Sequence, residues 1–203
     1  MKSSVIFGAK VVEDTKVGVK EALGIDTEGG EGFYLRLPKC FSGSKRKILK
    51  FLRERLQGRI QGWFSKSLSQ RGTEILLKSV CFAIMVFAMS CFKFPKDVCA
   101  KIISTMIEFW WSGGDNQKRI SWVAWKKLCK PKDVGGLGFR NIELSNHALL
   151  GKQAWRIWNM PDSLLAQVLK HHCFPSSEFL SSSVGTRPSY AWCCILHGRD
   201  MLK

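Results

Sequence analysis

At 203 residues, 45% of them hydrophobic and 11% aromatic, the chain has enough length for one ordinary domain or two small ones and is too apolar for disorder by composition. Its 32 Lys and Arg stand against 16 Asp and Glu, a net charge of +16 that favours a polyanionic partner, because each neutralised phosphate releases a condensed counterion. Residues 1–20 carry no long apolar run, and the longest uncharged apolar stretch, 79–92, has 14 residues. A bilayer needs about 20, so neither a secretory leader nor a membrane span is expected.

The opening Ser3-Ser4-Val5-Ile6-Phe7-Gly8 reads as a short strand ended by a turn, and Lys16 to Leu23 as a short helix closed by Gly24. The glycine-rich Gly29-Gly30-Glu31-Gly32 then leads into a strand from Phe33 to Leu37, stopped by Pro38. From Lys45 onward the period changes to that of a helix. Ile48, Leu52, Leu56, Ile60 and Trp63 make one apolar stripe, with Lys47, Lys50, Arg53 and Arg59 mainly off it. Gln70 to about Ala88 predicts a second helix, apolar nearly all round. Pro95 suits the first position of a third, whose inner stripe is Val98, Ile102, Met106, Phe109 and Trp110, with Gly113-Gly114-Asp115-Asn116 ending it.

Further on, Trp122 and Trp125 lie next to Lys126 and Lys127. Pro131 and Gly135-Gly136-Leu137-Gly138 read as a flexible turn between helices. A helix is expected from Glu143 to Trp158, with Ala148, Leu149, Gln153, Trp155 and Ile157 available for packing, and a shorter one from Ser163 to Leu169. The tail from Cys173 to Lys203 is rich in Ser, Gly and Pro and gives few periodic signals.

The positive charge is concentrated. Residues 39–78 hold 11 basic and 2 acidic side chains, residues 118–156 hold 9 and 2, and the rest of the chain is neutral. Such packing suggests one or two basic faces. Two-metal phosphoryl transfer needs clustered carboxylates, yet none of the 7 Asp is adjacent to another, and Glu13-Asp14 lies in a charged, solvated stretch. The glycine run at 135 lacks the Lys-Ser/Thr of a phosphate-binding loop. His171, His172, Cys173, Cys193, Cys194 and His197 gather near the C-terminus, but no C-x-x-C pair occurs, and the 8 cysteines read first as small buried hydrophobes of a reducing compartment. No nucleophile elbow or cysteine-protease signature is present. What remains is binding: cations interleaved with aromatics in Arg59-Ile60-Gln61-Gly62-Trp63-Phe64-Ser65-Lys66 and in Trp122 to Lys127 suit phosphates and exposed bases. Tryptophans at helical spacing are read first as core, so the cations carry more of that argument.

Ordered along the chain are Phe33-Tyr34-Leu35-Arg36-Leu37-Pro38, Gln61-Gly62-Trp63-Phe64-Ser65-Lys66-Ser67-Leu68-Ser69, Ala88-Met89-Ser90-Cys91-Phe92, Phe109-Trp110-Trp111 and Ile120-Ser121-Trp122-Val123-Ala124-Trp125. Gly135-Gly136-Leu137-Gly138-Phe139-Arg140, Ala148-Leu149-Leu150-Gly151-Lys152-Gln153-Ala154-Trp155-Arg156 and Pro188-Ser189-Tyr190-Ala191-Trp192 complete the series. This succession resembles the C-terminal half of the reverse transcriptase of plant LINE-type non-LTR retrotransposons, and covers nearly the whole chain. Related reading frames occur in plant nuclear and mitochondrial genomes.

The resemblance implies that the chain begins just after the family's catalytic Asp-Asp strand, with Lys2-Ser3 similar to the element that follows it. The segment around Tyr34, Leu35 and Arg36 is similar to the primer-grip strand, and residues 45–111 to the thumb that follows the template–primer backbone. The family usually has Gly where Arg36 stands, and Gln and Pro where Phe82 and Met85 stand. Losing that proline should lengthen the second helix, and Phe82 would be a liability unless something covers it.

The expected fold is therefore mainly α: a helical thumb-like region preceded by a small α/β piece from the end of a polymerase palm. Residues 1–40 form the palm end, 41–115 the thumb-like region and 116–203 a Trp-rich linker, truncated before any zinc-binding or ribonuclease H domain. The expected partner is RNA or DNA bound without sequence preference through Lys45, Arg46, Lys47, Lys50, Arg53, Arg59, Lys66, Lys126 and Lys127. No cofactor, metal, small-molecule substrate or catalytic residue is expected; the sequence does not fix the compartment, and nucleus and mitochondrion are the intracellular options. A translated pseudogene product without a biochemical role and a basic membrane-surface protein are the alternatives.

Overall fold

The computed structural model describes residues 4–5, 7–8, 11–29, 33–34, 37–38, 45–64, 68–112, 120–186 and 188–203. Its architecture is mainly α, and the chain divides into two compact units, Met1–Ile48 and Leu49–Lys203.

In the first unit, helix α1 spans Glu13–Leu23. It starts three residues before the expected Lys16 because Glu13 and Asp14 favour the positive end of the helix dipole, and Glu13 pairs with Lys16 at 2.7 Å. Gly24 closes it at φ 62°, with the Ile25 N–H reaching back to the Lys20 carbonyl. The expected opening strand is only a parallel bridge between Val5 and Glu28. The expected strand at 33–37 is likewise corrected. Two-residue strands β1 (Phe33–Tyr34) and β2 (Leu37–Pro38) pair antiparallel, Phe33 with Pro38 and Tyr34 with Leu37. With no third strand beside them among the described residues, these two supply each other's backbone hydrogen-bond partners.

Helix α2 spans Lys45–Phe64. Leu52, Leu56 and Ile60 are buried at four-residue steps, and the half-buried Trp63 ring lies 5.6 Å from Phe109. Ser69 then caps the next helix by accepting from the Gly72 N–H. That helix runs unbroken as α3 (Gln70–Leu76), a π turn (Leu77–Cys81) and α4 (Phe82–Cys91). The extra residue of the π turn re-phases the buried stripe, from Thr73, Leu77 and Cys81 to Phe82, Met85 and Met89. The path ends at Cys91 rather than near Ala88, since nothing breaks it at Met85. With 22 residues, and a mean hydropathy of 1.9 over its most apolar 18, it is long and apolar enough to cross a membrane, beyond the 14-residue run visible without the helix boundaries. Leu77, Cys81, Met85 and Met89 are nevertheless sealed in the protein core. Phe82 is covered within the chain, with the Arg140 guanidinium 4.3 Å from its ring centre.

Helix α5 spans Lys96–Ser112. Pro95 precedes it, its carbonyl accepting from the Val98 and Cys99 N–H groups, so the proline is one position earlier than expected. Cys99 rather than Val98 begins the fully buried stripe that continues through Ile102, Met106, Phe109 and Trp110. The Gly113–Asn116 stop lies outside the described residues. The corner between α4 and α5 is clamped from outside. Asn146, buried, accepts from the Phe94 N–H at 2.8 Å and donates to the Met89 and Phe92 carbonyls at 2.7 and 2.8 Å. Cys194 Sγ accepts from the Lys93 N–H and the Tyr190 hydroxyl donates to the Lys93 carbonyl at 2.7 Å.

Helix α6 is one turn, Trp125–Leu128. The glycine run that follows is not a flexible turn: Leu137 and Phe139 both donate to the Leu128 carbonyl, and a Cβ on Gly136 would lie 1.9 Å from the Lys130 carbonyl oxygen. Only glycine permits that approach. It lets Phe139 stack on Trp125 at 5.0 Å and meet Trp110 edge-on at 5.3 Å.

Helix α7 (Ile142–Asn159), capped by Asn141, buries Ile142, Asn146, Leu150, Gly151, Ala154 and Ile157. Of the residues expected to pack, only Ile157 is fully buried, while Ala148 and Trp155 are exposed. Helix α8 spans Leu164–Cys173, four residues past the expected Leu169, and α9 spans Tyr190–Arg199, in the tail that gives few periodic signals. Trp192, Cys194, Leu196 and Gly198 of α9 are all buried, which removes the amphipathic period by which a surface helix is recognised. A Cβ on Gly198 would lie 2.3 Å from the Leu150 carbonyl carbon, so α7 and α9 cross backbone to backbone. Phe174, Phe179 and Trp192 complete an aromatic core beside Ala154 and Ile157.

Candidate nucleic-acid interface

The cations of α2 do not form a single face. Lys50 and Arg59 are exposed, but nine helical steps place them on opposite sides, about 180° apart at 100° per residue. Lys50 also stands 3.6 Å from Glu54. Arg53 is half-buried, its Nε enclosed and without a hydrogen-bond partner. By helical register, positions 46, 47, 50 and 53 share an arc of about 120°, and positions 45, 55 and 59 share a second of about 80° on the opposite side. Lys45, Arg46 and Lys47 lie in its first turn; Lys66, Leu35 and Arg36 fall outside the described residues, and Tyr34 lies in β1.

A second basic site is built on α6. Trp125 and Leu128 anchor the turn in the core, which leaves Lys126 and Lys127 exposed and, among the described residues, outside any ion pair. Trp122, three residues before the anchor, is 76% exposed and free to stack, whereas Trp125 is structural. Not every nearby lysine is available. Glu74 binds Lys78 at 2.6 Å and Lys132 at 2.9 Å, and those two hydrogen bonds hold its carboxyl below the usual range.

A third set escaped the sequence reading. On α7, Lys152 and Arg156 are exposed beside Trp155 and Trp158, which are 47% and 46% exposed with rings 5.2 Å apart at 75°. Their i, i+3, i+4 spacing was the available signal, hidden because Trp155 was assigned to the packed face.

The histidines and cysteines are scattered. His171 and His172 lie exposed at the end of α8, and Cys194 is buried. His197 stacks on His147 at 4.3 Å, with Lys93 Nζ 3.4 Å from its Nδ1. Burial first, then Lys93 and His147, push the His197 pKa down. Burial raises the Cys81 thiol to about 12 and Cys99 to about 11, which suppresses thiolate chemistry. Among the described residues, no group of three or more His, Cys, Asp or Glu is placed to hold a metal ion.

No family model matches the chain. Over 121 residues, 59% of its length, it is 54% identical to the "Uncharacterized mitochondrial protein AtMg00310" of Arabidopsis thaliana, and the match covers 79% of that protein. Over 121 residues it is also 35% identical to the Arabidopsis "Putative ribonuclease H protein At1g65750", of which the match spans only 20%.

Proposed function

The chain belongs to the family of the Arabidopsis mitochondrial protein AtMg00310, and from that premise we propose a non-catalytic remnant of a plant LINE-type reverse transcriptase that holds RNA or DNA through its phosphates. Both relatives are consistent with a retroelement-derived protein. The eight ordered motifs support the finer assignment, with residues 1–40 as palm end, 41–115 as thumb and 116–203 as linker. The absence of an Asp pair from the sequence supports a binding role without polymerisation. A nuclear or mitochondrial setting accompanies this proposal.

The observation that carries the reading is the unneutralised charge: Arg59, Lys126 and Lys127 are exposed and, among the described residues, outside any ion pair, within the two blocks that hold the entire +16 excess. Filter binding of an RNA–DNA hybrid and of duplex DNA at rising salt tests it. If about 4 to 6 phosphates are met, log affinity falls with a slope of about −4 to −5 per log unit of salt, with little dependence on sequence. No affinity at low salt overturns the binding reading, and nucleotide incorporation by the purified chain overturns the non-catalytic one. The apolar Gln70–Cys91 path favours a second reading, a basic protein at a membrane surface, which co-sedimentation with anionic vesicles would support.

A further inference from the structure

A cavity of about 310 Å³ opens where the end of α7 meets α8 and the turns at 175–180. Its buried lining includes the apolar Ile157, Phe174 and Phe179. Three other lining residues differ in chemistry: Trp158, Lys170 and Glu178. Lys170 and Glu178 are both exposed, and neither is in an ion pair with the other or with any described residue. An apolar occupant would strip water from both charges without compensation. A simple anion would meet Glu178, and a simple cation Lys170. The ligand that satisfies all three groups is flat and aromatic, offers hydrogen-bond donors on one edge and carries a negative group.

We propose that this cavity receives an unpaired guanine of a single-stranded nucleic acid, stacked on Trp158, with Glu178 accepting from the base edge and Lys170 holding an adjoining phosphate. Guanine is the base whose Watson–Crick edge presents two adjacent donors, N1–H and N2–H, to the two oxygens of a carboxylate, and unpaired bases are read in this way by stacking and edge hydrogen bonds. Lys152 and Arg156, exposed on α7 and beside Trp155 by helical phase, lead away from the cavity and favour a strand over a free nucleotide. The inference rests on the nucleic-acid reading given above and adds base preference to it.

The test uses the full chain and fluorescein-labelled oligouridine 12-mers with one central guanine, inosine or cytosine, read by anisotropy. The guanine strand binds on the order of tenfold tighter than the cytosine strand, as one stacked and hydrogen-bonded base allows, with inosine between them because it lacks the N2 amino group. Trp158→Ala and Glu178→Gln each abolish that preference, Trp158→Phe retains it, and duplex binding is unchanged in all three, with circular dichroism confirming the fold. Equal affinity for the guanine and cytosine strands, with duplex binding intact, overturns the pocket alone. Loss of binding to every strand and duplex by the wild-type chain overturns both readings. Equal affinity for guanosine 5′-monophosphate and for the guanine strand overturns the assignment to a strand.

Discussion

Replacing Asn146 with Ala should be the most damaging change of a single small side chain in the 49–203 unit. The residue is 4% exposed and every polar atom of its amide is used: Oδ1 takes the Phe94 N–H, and Nδ2 gives to the Met89 and Phe92 carbonyls. Those carbonyls belong to the end of α4, where no helical partner exists. Three hydrogen bonds are worth about 0.5–1.5 kcal/mol each, and the stranded groups add desolvation, so Asn146→Ala should cost about 3–5 kcal/mol. For a unit of this size that lowers the melting temperature by about 10 °C or more. Asn146→Asp sharpens the test, because a carboxylate keeps the acceptor but loses both donors and faces two carbonyl dipoles. Burial raises its folded pKa above the unfolded value, so the Asp variant is least impaired below about pH 4 and loses stability as pH rises through the folded pKa. Urea unfolding followed by circular dichroism at pH 4 and pH 7.5 reads both effects. A cost under about 1 kcal/mol for Asn146→Ala, or an Asp variant insensitive to pH, would refute the claim that these hydrogen bonds fix the corner.

Gly198→Ala places a methyl 2.3 Å from the Leu150 carbonyl carbon, so α7 and α9 must separate; a loss of about 3 kcal/mol or more in urea unfolding is expected, with a weakened near-ultraviolet spectrum from the Trp192 core. His197, faced by His147, Lys93 and Asp200, has its pKa held down in the folded chain. The unfolded state therefore takes up a proton first, and stability falls as pH drops below about 6.5 toward the folded pKa. Melting temperatures between pH 7.5 and 5 should show this fall, and His197→Gln should flatten it.

Helices whose burial is one-sided were legible. Leu52, Leu56 and Ile60, and then Ile102, Met106 and Phe109, repeat at steps that leave a polar face behind, and these stripes are buried as expected. Helix α9 was illegible for the opposite reason, since Trp192, Cys194, Leu196 and Gly198 are enclosed from several sides. The glycine run at 135–138 gave only flexibility in isolation; its meaning depends on the Lys130 carbonyl that comes to lie against Gly136. Asn146 carried no signal because its partners lie 52 to 57 residues away in the chain. The candidate interface was half legible. Charge density identified Lys126 and Lys127 as available, but only the helix phase separates Lys50 from Arg59, and only the fold reveals that Glu74 occupies Lys78 and Lys132.

These same particulars bear on whether the chain is inert debris. A sequence drifting without constraint on its fold would be expected to break such long-range matches first, since each depends on two distant residues agreeing. Here the Asn146 amide is fully satisfied, Gly198 and Gly136 stand where a Cβ would collide with backbone, and Arg140 covers the Phe82 ring. Against this stand buried N–H groups without partners, among them those of Trp125, Trp192 and Arg199. A few such groups per hundred residues are ordinary in folded proteins, so they do not tip the balance. Leu164, Leu165 and Val168 on α8 are exposed and cost cohesion, but they lie outside the α4–α5 corner and the α7–α9 crossing that organise the unit. The packed scaffold of residues 49–203 that leaves Lys126 and Lys127 exposed is coherent, and that coherence argues against an unfolded product.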